Sequence, residues 1–182
     1  MPTALFLHTR GVAGRLVAFG LMGLLVLAGC DSGGDGPPPA ELEGTYQVTR
    51  FELTVAGVDN FNLLADTLQS NDPSLPRVEF LAGSATALLF FQLEGSAGRS
   101  VIEGGFSTGP GRVTVDLSNV SEDRRFQLLL PTVVQFSTEE DNTVLQANQE
   151  VREVDLNRYA PERYAGLTQP VNGTLAIRLV RQ

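Results

Sequence analysis

Acid chemistry is almost the only side-chain chemistry this sequence offers. The 182-residue chain has one histidine, His8, one cysteine, Cys30, and no tryptophan; it also has no lysine. Beyond residue 30 there is therefore no imidazole, thiol or amine for a Ser-His-Asp triad, thiolate catalysis, Schiff-base formation or a nitrogen and sulfur metal site. Carboxylates remain. Glu94, Glu103, Asp116, Glu150 and Glu153 lie on or beside strand-like runs, and two of them at a suitable separation would supply the acid and nucleophile of glycoside hydrolysis. Acids at alternating strand positions are ordinarily the solvated face, so no catalytic residue is expected. Glu139, Glu140 and Asp141 offer oxygen ligands, but they lack the spacing and the positioned glycine of a calcium loop. They read as a solvated turn, and neither a metal nor another cofactor is expected.

Cys30 poses a different question, because it stands at the seam between an apolar run and the segment DSGGDGPPPA. His8, Arg10 and Arg15 precede that run, and the first acid of the chain is Asp31. This is the pattern of a secretory signal, too short for a spanning helix of roughly 20 apolar residues. The tetrad Leu27, Ala28, Gly29, Cys30 resembles the lipobox of bacterial lipoproteins. The resemblance implies a leader over residues 1–29, acyl chains on Cys30 and a membrane partner reached through them. Each buried CH₂ contributes about 0.8 kcal/mol, so two or more acyl chains hold a protein where one does not. Residues 30–40 then form a tether, flexible at its glycines and stiffer at Pro37 to Pro39. The expected location is the bacterial cell envelope, with inner and outer membrane both open.

All 13 basic residues counted with lysine are arginines, two of them in the leader, while all 21 acids follow it. Residues 41–182 suffice for one acidic domain, and no affinity for nucleic acid is expected of it.

The elements that would position any site are strands. In RVTVDLSN, Val113, Val115 and Leu117 alternate with polar residues, the period of a half-buried strand. The same period runs through RRFQLLL (Phe126, Leu128, Leu130), TVVQFS (Val134, Phe136) and TLAIRLV (Leu175, Ile177, Leu179). TALLFFQLE, apolar on both faces at its start, carries Ala87, Leu89, Phe91 and Leu93 on one of them. Glycine, proline and polar clusters separate these runs as turns. Two stretches break the period. One begins at Asp59 or Asn60 and carries Phe61, Leu64 and Leu68; the other is NRYAPERYAGL. Both read as short helices lying across an open end of a sheet structure.

LEGTYQVTRFEL, with Gly44 two residues before Tyr46, resembles the opening strand of lipocalin-like barrels, and VNGTLAIRLVRQ resembles their closing strand. The expected fold is all-β: an antiparallel lipocalin-like barrel of about 8–10 strands with one or two short helices, another antiparallel barrel or a β-sandwich being the alternatives. The resemblance implies pairing of the first and last strands, with Arg178 covering Tyr46. It also implies a small apolar or amphipathic ligand lined by Leu89, Phe91, Val115, Phe126, Leu128, Val134, Phe136 and Ile177. An eight-stranded barrel is just wide enough to be filled or to hold one ligand. The rival expectation is thus a filled barrel acting as a structural or protein-interaction module, its partner unidentified.

Overall fold

The computed structural model describes residues 38–68 and 72–182. The expected leader, Cys30 and most of the expected tether lie outside the described residues. After a one-turn helix α1 (Pro39–Leu42), the chain runs β1 (Gly44–Val55), β2 (Phe61–Asn62), α2 (Leu63–Asp66), β3 (Arg77–Leu81), β4 (Thr86–Phe91), β5 (Ser100–Gly109) and β6 (Arg112–Asp116). It continues with α3 (Glu122–Phe126), β7 (Val133–Glu139), β8 (Val144–Val154), α4 (Leu156–Tyr159), α5 (Pro161–Tyr164) and β9 (Val171–Arg181). From β3 to β9 neighbours in sequence are neighbours in the sheet, every pairing is antiparallel, and β1 pairs with both β3 and β9. That pairing closes an eight-stranded up-and-down barrel, which removes the sheet edges. The extra strand β2 lies beside the far half of β1 through Glu52↔Asn62 and Leu53↔Phe61. Among the described residues no helix is long and apolar enough to cross a membrane.

The inward faces follow the alternation in the sequence. Val113 and Val115 of β6, Val134 and Phe136 of β7, and Leu175, Ile177 and Leu179 of β9 are all buried, and among the described residues no polar or charged residue is. In β1 the buried set is Tyr46 and Val48, then Phe51, Leu53 and Val55. The ladder to β9 pairs Val48 with Leu179 and Arg50 with Arg178, so Thr49 is an inserted residue. A one-residue insertion flips the face of everything after it, and this bulge keeps both halves of β1 pointing inward.

The run RRFQLLL corrects the strand expected there. Glu122–Phe126 is the helix α3, followed by a turn in which Leu129 has φ 53° and Leu128, Leu129 and Leu130 are all buried. Acids in the first turn (Glu122, Asp123) and arginines in the last (Arg124, Arg125) match the helix dipole. Three consecutive buried leucines also fit a cap on the core better than one face of a sheet. The other expected helices form at α2 and at the pair α4–α5, with Asn62 rather than Asp59 or Asn60 as the cap of α2.

Candidate functional site

Strand directions place α1 and the β7–β8 hairpin at one end of the barrel and α2 to α5 at the other. At the first end Leu42 of α1 is fully buried. Tyr46, also fully buried, donates its hydroxyl to the Asn142 carbonyl at 2.9 Å and meets Phe80 edge to face at 5.4 Å. Burial pushes the Tyr46 hydroxyl above its usual range, and the nearby Arg181 charge offsets part of that. Arg178, expected over Tyr46, is not the arginine that covers it. The register sets Tyr46 opposite Arg181 and Arg178 opposite Arg50, so Arg178 points outward. Arg181 continues the inward parity of Leu175, Ile177 and Leu179 beyond the end of the core. Its guanidinium carbon lies 5.9 Å from the Tyr46 ring centroid, and the guanidinium donates to the carbonyls of Glu41, at 2.9 Å, and Glu43. Gly44 permits this: its φ is 139°, and a Cβ there would stand 3.4 Å from Nε and Nη2 of Arg181. The backbone conformation is one that residues with a side chain rarely adopt.

The helical end is closed by rings and arginines from three loops. Phe61 packs edge to face on Tyr159 at 5.3 Å, and Phe126 on Tyr159 at 5.8 Å. The Tyr159 hydroxyl donates to Thr67 Oγ1 at 3.0 Å, and burial pushes it up to about 12. Arg163 bonds Asp66 Oδ2 at 3.0 Å and lies over Phe61, while Arg158 bonds Asp123 Oδ1 at 2.8 Å and lies over Phe126. The helices expected to lie across an open end therefore cover it.

Between the two ends lies an apolar cavity of about 50 Å³. Of the eight residues expected to line a ligand, Leu89, Val115, Val134, Phe136 and Ile177 border it. Phe91 and Leu128 are buried in the packed core away from it. Phe126 does not face the interior: it belongs to α3 and packs between Tyr159 and Arg158. Val48, Phe51, Val78, Ala87 and Ile102 also border the cavity, and their inward parity in β1, β3, β4 and β5 was the signal that could have added them.

The candidate acids stand outside. Glu94, Glu103, Asp116, Glu150 and Glu153 are all exposed, as are Glu139, Glu140 and Asp141 in the β7–β8 turn. Asp116 is held below the usual carboxylate range by the backbone N–H of Ser118, which it accepts at 2.8 Å. That favours a permanent anion over a proton donor.

No protein-family model matches the chain, and no curated protein matches it in sequence. Among solved structures it is similar to a lipocalin-like protein from Bacteroides uniformis ATCC 8492, at 13% identity and a TM-score of 0.43, covering 78% of this chain and 99% of that one.

Proposed function

We propose that this chain is a lipid-tethered module of the bacterial cell envelope whose barrel interior is a packed core, and that it acts through its outer surface as a non-catalytic protein-interaction domain. The observation that carries this reading is the size of the cavity. Its volume of about 50 Å³ compares with about 150 Å³ for an engineered apolar cavity that admits benzene and about 300–1,000 Å³ for ordinary ligand pockets. Its lining is wholly apolar, so no side chain there would orient an amphipathic guest. Covered ends and edge-to-face rings inside the barrel, Tyr46 on Phe80 and Phe80 on Phe106 at 5.1 Å, support the same reading.

Native mass spectrometry of the gently extracted protein tests it against the ligand-binding alternative. The expected spectrum holds the acylated polypeptide alone. A small molecule retained at one-to-one stoichiometry would overturn the filled-barrel reading. The tether is tested separately: Cys30→Ser should remove the acyl mass and release the protein from membranes, and retention of that variant after a salt wash would sink the lipobox reading.

A further inference from the structure

The barrel wall is interrupted between β7 and β8. Their ladder has three rungs, Ser137↔Gln146, Thr138↔Leu145 and Glu139↔Val144. On their other sides, β7 stays paired with β6 down to Val133, and β8 with β9 down to Val151 and, past a register shift, at Val154. Extending the short ladder in register would set Val134 opposite Gln149. Gln135 N–H would then bond the Asn148 carbonyl, and Glu150 N–H the Val133 carbonyl. A side chain occupies both places instead. Oε1 of Gln149 accepts from Gln135 N–H at 3.2 Å, and Nε2 donates to the Val133 carbonyl at 2.7 Å. One carboxamide thus stands in for both halves of a peptide rung. Gln149 also sits at an inward position of the alternation, half-buried between buried Ala147 and Val151, where the buried residues of the barrel are apolar.

Towards the helical end the seam widens into a cleft of about 530 Å³, floored by Leu129, Leu130, Val151 and Val154. The rim arginines are engaged: Arg152 with Glu150 at 3.2 Å, Arg158 with Asp123, and Arg125 with the Val120 and Leu130 carbonyls. The rim acids Glu122 and Glu153 have no ion pair among the described residues. Residues 38–182 carry 19 acids against 11 arginines.

We propose that this seam is a peptide-binding site. An extended, net-basic segment of a partner protein adds as a strand between β7 and β8 and displaces the Gln149 carboxamide from the backbone groups it satisfies. Strand addition draws affinity from main-chain hydrogen bonds and specificity from alternate side chains. Here the inward side chains of the segment would meet the leucine and valine floor, and its basic ones the free rim carboxylates. The proposal rests on the reading of the domain as an interaction module and names the class of its partner.

The test uses the full chain and two synthetic heptapeptides in which valine alternates with arginine and threonine. One is unmodified; the other is N-methylated at every second residue, which keeps charge and side chains but removes the donors of a ladder. The unmodified peptide is expected to bind saturably at one to one and to slow hydrogen exchange at the seam-facing amides of Val133, Asn148 and Glu150. Gln149→Ala should bind it about tenfold more tightly, because two latch hydrogen bonds no longer compete. The N-methylated peptide should not bind. Equal binding of both peptides, protection elsewhere on the barrel, or no saturable binding to the wild type and Gln149→Ala alike would overturn the proposal. Should Gln149→Ala fail to fold, the two wild-type titrations decide it. A retained small molecule in the native mass spectrum would strike the filled-barrel reading without touching these titrations.

Discussion

Replacing Arg181 by methionine keeps a long unbranched side chain at the end of β9 and removes the guanidinium that ties α1 to the barrel. Two hydrogen bonds to the Glu41 and Glu43 carbonyls and the contact with the Tyr46 ring are lost. Arg181 is exposed, so the lower part of each range applies. About 1 kcal/mol for each hydrogen bond and about 0.5 kcal/mol for the ring contact give a cost near 2.5 kcal/mol. For a domain of this size that corresponds to roughly 6–10 °C in Tm. Urea unfolding measures the loss, and hydrogen exchange at the Glu41 amide, now bonded to the Pro38 carbonyl at 2.9 Å, locates it. Arg178→Met is the control: that side chain points outward opposite Arg50, and its replacement should change stability by less than about 0.5 kcal/mol. Equal costs for the two variants, or a negligible one for Arg181→Met, would refute the argument that register and parity give Arg181 the closing role.

Ala87→Val places two further carbons into the cavity that Ala87 borders. At about 0.8 kcal/mol for each buried carbon, the variant should gain about 1.6 kcal/mol in urea unfolding; a loss of that size would show that the space is not free. Tyr159 sets an alkaline limit. With its hydroxyl at about 12 in the fold and near 10 unfolded, stability from this group is full below pH 10. Between pH 10 and 12 the unfolded chain has released the proton and the native chain has kept it, so stability falls by about 1.4 kcal/mol per pH unit. Tyr159→Phe should flatten that decline in urea midpoints measured from pH 8 to 12, and an unchanged slope would contradict the burial of the hydroxyl.

Much of the barrel was legible because its strands obey a period of two and its turns are chemically marked. β4, β6, β7 and β9 lie where the alternation put them. The helix α3 was missed because Phe126, Leu128 and Leu130 fit that period by chance, and short apolar runs do not separate strand from helix. The acidic start and basic end of EDRR were the stronger signal. The alternation that turns Leu175, Ile177 and Leu179 inward turns Arg178 away from the interior, and the arginine opposite Tyr46 is Arg181. At the end of a closed barrel the inward face runs out over the rim, and a long cation there lies on the last ring. The break in β1, from Tyr46 and Val48 to Phe51, Leu53 and Val55, marks the Thr49 bulge that keeps both halves of that strand inward. Gln149 was readable as well, a polar residue at an inward position between Ala147 and Val151.

What periodicity could not reveal is whether inward residues meet. Alternation names the face a side chain takes, while the distance across the barrel follows from strand number and shear, which appear only when the sheet closes. At eight strands the outcome rests on side-chain size. Here rings fill the end nearest α1, where Phe80 touches both Tyr46 and Phe106 edge to face. The space left over adjoins Ala87, a small inward residue, and amounts to about 50 Å³. On the proposed reading of a packed barrel, the wall is the place for function. The place where that wall is interrupted is the seam between β7 and β8, whose backbone on the β7 side is bonded by the Gln149 carboxamide.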